Sequence, residues 1–432
     1  MRHLWVLNHY GQIPGSAGGS RHYSLAKHLV RHGWETTVIA ASTDHKSGRQ
    51  RNQETGKRAI EEYDGFRFVW VRTPDYRGNG LGRIRNMLSY TWRALAPGTT
   101  RDLPKPDAVI GSSVHPLAAW AGARLAERHG VPFLFEVRDL WPQTLIDMGR
   151  ISANGVVARA LGKLELSLYE KADRILVLLP HADRYIAPLG IPEKKIEWLP
   201  NGVELEGYPK PQPPSEDGRF TLMYFGAHGQ ANGLDNILRA MALVEQRADM
   251  QHVRLRMIGD GPLKLALHEL AHELGLRRVH FEEAVPKAEI PRLASEADAF
   301  IVNLISVPTL YCYGISLNKI FDYMAASRPI IFGGTSSNNP IEDSGAGISV
   351  PPADPRALAN AIVKIVNMGA EERKPMGAAG RAYVTKNHAF KSLAEKLARI
   401  LDEVVASPDS SAASRRASSA AASGKRNELP IL

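Results

Sequence analysis

The chain has 432 residues, 44% of them apolar and 23% charged, a balance that excludes disorder over most of its length and predicts two folded cores. A single cysteine, Cys312, excludes an internal disulfide or a cysteine-based metal cluster and fits a reducing compartment. The 54 basic and 45 acidic side chains give a net charge of +9, which suits phosphates, nucleic acid or an anionic membrane surface alike. No apolar run reaches the ~18 residues of a membrane span, and the opening segment MRHLWVLNHYGQIPG is interrupted by Asn8 and His9. The expectation is a cytoplasmic chain, neither exported nor spanning.

From the start, β-type runs alternate with segments of helical period: LWVLN, the helix SRHYSLAKHLVRHG, TTVIA, then FRFVWV, DAVIG, PFLFEV, RILVLL and IEWLPNGV. Strands separated by helices predict a parallel sheet covered on both faces. EGYPKPQPPSEDGR, with Pro209, Pro211, Pro213 and Pro214, reads as a linker. A second alternation follows: TLMYFG, NGLDNILRAMALVEQ, VRLRMIGDG, a Leu-rich helix, VHF, AFIVNL, a helix around NKIFDYMAA, PIIFGG and GISV. The α/β chain is therefore divided into a Rossmann-like domain at 1–205, a linker at 206–219, a second parallel-sheet domain at 220–388, a helix at 389–406 packing toward the first domain, and a Ser/Ala-rich disordered tail at 407–432.

Glycines 15, 18 and 19 precede a helix that Ser20 can cap, an arrangement whose free N–H groups and dipole favour an anion, although a plain strand-to-helix turn uses the same residues. The dinucleotide G-x-G-x-x-G spacing and the P-loop are absent. His268, Glu269 and His272 spell the H-E-x-x-H pattern of zinc peptidases, but the third ligand position of the longer motif holds Arg278, and Leu263, Leu267, Leu270 and Leu274 account for the helix as an amphipathic one. No D-x-D pair is present to hold a divalent ion and a diphosphate. In YCYGISLNKIFDYMAAS, Ser316 can cap a helix carrying Asn318 and Lys319 in its first turn and Asp322 one turn on. A lysine there opposes the helix dipole and points to a bound anion, with the carboxylate free to accept sugar hydroxyls. Ile320, Phe321 and Met324 on the same helix read as core.

The GG loop, EVRDLWPQ after the fifth strand, PNGVE before the linker and NKIFDYMAASRPI resemble, in that order, the family 4 glycosyltransferases of the GT-B fold, two Rossmann-like domains facing across a cleft. Within that family the chain is similar to the bacterial fucosaminyl-transferase-like and colanic-acid-type enzymes of surface polysaccharide synthesis. The resemblance implies a retaining transfer of an N-acetylated or deoxy-amino sugar from a UDP-sugar to a polyprenyl-diphosphate-linked glycan, without cofactor or essential metal. It places Gly18, Gly19, Lys319, Asn318 and the backbone at Ser316 and Leu317 on the diphosphate, and Asp322 on the ribose. Arg138 and Asp139 stand where relatives carry a His-Asp pair; Glu136, Arg138 and Asp139 forming an ion-paired structural trio is the alternative. Two departures are visible: the first glutamate of the E-(seven residues)-E motif falls at Gly314, and FGAHGQANGLDN offers His228, Gln230 and Asn232 where an Arg and a Lys are common. A GT-B epimerase, a catalytically silent binding subunit and a zinc peptidase remain as alternatives. Nucleic acid is not expected, since the basic residues are scattered. Residues 81–96 place Leu81, Ile84, Leu88, Trp92 and Leu95 at helical spacing beside Arg83, Arg85 and Arg93, with Arg77 upstream. This is the pattern of a helix lying on an anionic membrane at the inner face of the plasma membrane, or of one packed on the sheet with its arginines in solvent.

Overall fold

The computed structural model of the protein describes residues 1–13, 21–45, 47–51, 56–78, 80–209 and 218–407. The Gly18–Gly19 loop, most of the Pro-rich segment and the tail from 408 lie outside the described residues. The chain forms two compact units: 1–12 with 21–200 and 393–407, and 201–209 with 218–392.

The first unit is built on an eight-stranded sheet of β1 (Arg2–Leu7), β2 (Trp34–Ala41), β3 (Arg58–Tyr63), β4 (Phe66–Val71), β5 (Ala108–Ser112), β6 (Phe133–Val137), β7 (Arg174–Val177) and β8 (Ile196–Trp198), in spatial order β3-β4-β2-β1-β5-β6-β7-β8. Seven strands run parallel, and the near-continuous apolar runs of the inner ones follow from burial on both faces. β3 is the addition to the expected set. It pairs antiparallel with β4 through the two-residue Asp64-Gly65 turn, so EVRD follows the sixth strand rather than the fifth. The helices that bear on function are α1 (Arg21–Leu29), α2 (Leu81–Leu95), α3 (Pro116–His129) and α4 (Val156–Lys171).

On α2 the buried side is polar. Asn86 Nδ2 donates to Thr43 Oγ1 and Thr73 Oγ1, each at 3.0 Å, and to the Pro74 carbonyl at 2.6 Å, while the Tyr90 hydroxyl donates to the Ile39 carbonyl at 2.6 Å. With that network satisfied inward, Leu81, Ile84, Leu88 and Trp92 face outward. α2 thus packs on the sheet with Arg85 and Arg93 in solvent, as the second of the two readings expects, but through its polar side rather than through Leu81, Ile84, Leu88 and Trp92.

The second unit carries a six-stranded, wholly parallel sheet of β9 (Phe220–Phe225), β10 (Val253–Ile258), β11 (Val279–Glu282), β12 (Ala299–Asn303), β13 (Ile330–Gly333) and β14 (Gly347–Val350), ordered β11-β10-β9-β12-β13-β14. On one side α5 (Leu234–Glu245) and α8 (Pro355–Asn367) bury Ile237, Leu238, Met241 and Ile362 against Leu222 and Leu255. On the other, α7 (Asn318–Ala325) buries Ile320, Phe321 and Met324 against Phe225 and Phe300; α6 (Lys264–Glu273) lies toward the β11 edge. This unit begins at Asn201, ahead of the expected boundary at 205, because Asn201 bonds to Ser316 and Val203 bridges to Ala389. The last helix, α9 (Phe390–Ala406), ties into the first unit from Leu393 onward. Asp402 accepts from Arg2 at 2.5 Å and from Trp34 Nε1 at 3.0 Å, and Lys396 donates to the Trp198 carbonyl at 2.8 Å.

Candidate functional site

The N-terminus of α7 and the carboxyl end of β9 bring the most distinctive charge of the second unit into place. Lys319 Nζ donates to the Tyr224 hydroxyl at 2.8 Å and to Asn232 Oδ1 at 2.5 Å, and lies 4.7 Å from the centroid of the Tyr224 ring. Both partners are neutral, and both are themselves fixed by donating to the Ala227 carbonyl at 2.8 Å. No carboxylate among the described residues pairs with this ammonium, and burial lowers its pKa to about 7. Gly226 lies against it: its φ is +150°, and a Cβ there would sit 3.1 Å from Lys319 Cε. His228, in the same loop, is fully buried with neither ring nitrogen hydrogen-bonded to a described residue. Burial, with Lys264 and Lys319 adding to it, lowers its pKa to about 4, so it stays neutral. Gln230, the third polar residue expected in this loop, is exposed. The arrangement is an under-compensated cation at a helix N-terminus, where the dipole also favours an anion.

Asp322, one turn on, is not free. Lys287 Nζ reaches both of its oxygens at 2.6 Å and the Tyr208 hydroxyl donates to Oδ1 at 2.7 Å, with the carboxylate buried. The expected hydroxyl acceptor is therefore already occupied by an internal ion pair. That pairing also leaves Lys319 without a counter-ion. Ser316 does not cap α7. Leu317 occupies the N-cap without a side-chain bond, and Ser316 Oγ accepts from the Asn201 N–H at 3.1 Å while its carbonyl accepts from Asn201 Nδ2 at 2.9 Å. Asn318 is the exposed first residue of the helix. Gly314 has φ +104°, a conformation strained for any L side chain, so the missing glutamate and the local chain path go together.

In the first unit the carboxyl end of β6 carries Glu136, buried and fully engaged. It accepts from Arg21 Nε at 2.8 Å, His22 Nε2 at 2.8 Å and Ser112 Oγ at 2.6 Å. Burial opposes its charge, but His22 and Arg21 outweigh it and hold the carboxyl well below its usual range. The alternative of an ion-paired Glu136–Arg138–Asp139 trio does not form as such: the bases bonded to Glu136 are Arg21 and His22 of α1. Arg138 is half-buried, its backbone N–H on Ser113 Oγ at 3.1 Å, and Asp139 is exposed beside it. Gly18 and Gly19 lie outside the described residues. On α6, His268 stacks on Phe281 at 4.0 Å, His272 is exposed, and Leu267 faces the core. Among the described residues no three His, Cys, Asp or Glu side chains converge as metal ligands.

Residues 17–202 match the glycosyl transferase 4-like domain and residues 219–368 match the glycosyl transferases group 1 domain, together 336 of the 432 residues. The chain belongs to the family 4 glycosyltransferases. This glycosyltransferase is 25% identical over 280 residues to glycosyltransferase WbjE of Pseudomonas aeruginosa, a match covering 62% of the chain and 68% of that protein. It is 22% identical over 315 residues to the colanic acid biosynthesis glycosyl transferase WcaI of Escherichia coli K12, covering 69% and 75% respectively. Its fold matches Anabaena HepE, solved in complex with UDP-glucose, at a TM-score of 0.62 and 14% identity over 93% of the chain and all of that structure. The two doubly wound units are the GT-B architecture.

Sequence reasoning singled out Lys319 and Asn232 but missed three of the residues that shape their surroundings. Tyr224 was hidden in an apolar strand, and Lys287 and Tyr208 lie 35 and 114 residues from Asp322, so no local pattern could pair them. Asn201 had a signal, since it stands in PNGVE.

Proposed function

We propose that this glycosyltransferase moves a sugar from a UDP-sugar to a lipid-linked glycan during surface polysaccharide synthesis, with retention of the anomeric configuration and without a metal. The observation that carries the reading is the Lys319 ammonium held by Tyr224 and Asn232 at the start of α7, with no carboxylate of the described residues beside it. The donor diphosphate is its missing counter-ion. The UDP-glucose bound by HepE supports a nucleotide-sugar donor, and the kinship with WcaI supports a polysaccharide product. The sugar is proposed to be N-acetylated or deoxy-amino and the acceptor to be carried on a polyprenyl diphosphate at the inner face of the plasma membrane.

In the transfer the bond from C1 of the sugar to the β-phosphate oxygen breaks and the bond from C1 to the acceptor oxygen forms on the same face. The acceptor proton passes to the departing phosphate oxygen. Protonated Lys319 and the N–H groups of α7 stabilise the negative charge that builds on the diphosphate, so electrostatic stabilisation and positioning supply the catalysis. Arg138 and Asp139 are proposed to serve the sugar, and Gly18 and Gly19 the diphosphate. The test is calorimetric titration of a UDP-sugar into wild-type protein and Lys319→Met, followed by transfer assays on lipid-linked acceptors with and without EDTA. Undiminished binding by the variant would remove Lys319 from the donor site.

A further inference from the structure

We propose that Glu165 is a positioning residue for the transfer: its buried carboxylate anchors the backbone at Trp141 and thereby sets Arg138 and Asp139 at the carboxyl end of β6. This role rests on the assignment of Arg138 and Asp139 to the sugar made above. Glu165 lies on α4, which packs on β6, and is 3% exposed. Its Oε1 accepts from the Tyr169 hydroxyl at 2.8 Å and its Oε2 from the Tyr185 hydroxyl at 3.0 Å, and the Trp141 backbone N–H is the third donor to the carboxyl. One turn earlier, a Cβ at Gly162 would stand 4.0 Å from Pro142 Cδ, so α4 touches the loop after β6 as well as the strand. Burying a carboxylate without a cation is costly, and a residue that only filled this space would be apolar.

The cluster is matched to the ionised form. Around Glu165 stand Tyr169 of α4 itself, Tyr185 of the short helix Asp183–Ile186 and the Trp141 amide of the loop. β6 presents Phe135, its ring 5.3 Å from that of Tyr169, and among the described residues neither β6 nor α3 brings a charged group to bear on the carboxyl. Three donors thus meet a group that, when ionised, only accepts. Protonation turns one oxygen into a donor. A tyrosine hydroxyl can rotate to accept from it, but a backbone N–H cannot, so the Trp141 amide is left facing a weaker, neutral acceptor. The Trp141 indole Nε1 is buried with no partner among the described residues, so the side chain offers no second polar hold. Next to it, the Leu140 carbonyl accepts from the Thr144 N–H at 2.7 Å, which carries the anchored loop directly into the helix Gln143–Asp147. Burial, opposed by the two tyrosines and the Trp141 amide, raises the carboxyl to about 7, so the anchor loosens as pH falls below neutrality.

The experiment is a pH titration of the full chain labelled with 5-fluorotryptophan, followed by fluorine NMR with the Trp141 resonance assigned by Trp141→Phe, beside kcat for transfer at saturating UDP-sugar over the same pH range. In wild type the Trp141 resonance should titrate with a midpoint near 7, and kcat should fall as pH drops through that midpoint. Lys319 acts on the other limb, since it weakens donor binding above neutrality, so the two groups are read apart. Glu165→Gln keeps the shape and removes the charge; it should lower kcat about tenfold or more, leave UDP affinity unchanged and abolish the titration in both readouts. Tyr185→Phe removes one donor to the carboxylate and should move both midpoints upward. A Trp141 titration that persists in Glu165→Gln would overturn the anchor. A titration that is lost while kcat keeps its wild-type value and profile would overturn the positioning role together with the assignment of Arg138 and Asp139 to the sugar. If Glu165→Gln does not fold, Tyr185→Phe decides, and unmoved midpoints in both readouts would overturn the role.

Discussion

Replacing Lys319 by Met tests the donor site with little expected cost to the fold. The ammonium has two neutral partners and burial already disfavours its charge, so an uncharged side chain of similar length removes a liability of the unliganded protein. In the donor complex the same group would meet a diphosphate, and one charge-assisted contact is worth about 1.5–3 kcal/mol, or roughly tenfold to over a hundredfold in affinity. The pH dependence follows from the lowered pKa. With Lys319 near 7 instead of 10.5, the free protein holds fewer protons than the unfolded chain between those values, so unfolding free energy should climb with pH across that window in wild type and lack this component in the variant. Donor binding requires the protonated form, and a UDP-sugar diphosphate does not itself titrate near neutrality. Affinity should therefore fall from about pH 7 upward and, by pH 9, with about one lysine in a hundred charged in the free protein, approach that of Lys319→Met. Calorimetry in buffers of different ionisation enthalpy reads the proton uptake directly. A wild-type affinity flat from pH 6 to 9, with no proton uptake, would refute the assignment.

Asp322→Asn should lower the melting temperature, corresponding to about 1–3 kcal/mol, because it removes the negative charge that pairs Lys287 and leaves a single acceptor oxygen where there were two; Lys287→Met in the same chain should recover part of the loss. Gly226→Ala places a methyl against Lys319 at a positive φ, and should cost about 1–3 kcal/mol in unfolding experiments while weakening UDP-sugar binding. His268→Ala with His272→Ala should move stability by less than about 0.5 kcal/mol and leave zinc content and transfer unchanged, since both side chains are exposed; loss of stoichiometric zinc would reopen the peptidase reading.

The architecture was legible because buried parallel strands read as apolar runs, and TLMYF, VRLRMI and AFIVN stand out without any knowledge of their partners. RAIEEY did not stand out: an edge strand with two glutamates has no such run, and the Asp64-Gly65 turn was its signal. The lysine at the start of α7 was legible from the dipole alone. Asp322 was misjudged for the opposite reason: local spacing leaves a carboxylate looking free, while the lysine that neutralises it arrives from the loop after β11. Gly314 looked like a lost glutamate and is also a backbone position that disfavours one. The α2 stripe was seen in the sequence, but periodicity cannot tell an inward face from an outward one. The buried Asn86 and Tyr90 network decided it.

The most direct measurement is UDP release by the purified full-length chain from a panel of UDP-sugars, with and without a polyprenyl-diphosphate-linked glycan, with the anomeric configuration of the product read by NMR. The expected result is acceptor-dependent release of UDP from an amino-sugar donor, a product of the donor's own anomeric configuration, insensitivity to EDTA, and loss of the reaction in Lys319→Met. Release of UDP without any acceptor, conversion of the donor to its epimer, or full activity in Lys319→Met would contradict it.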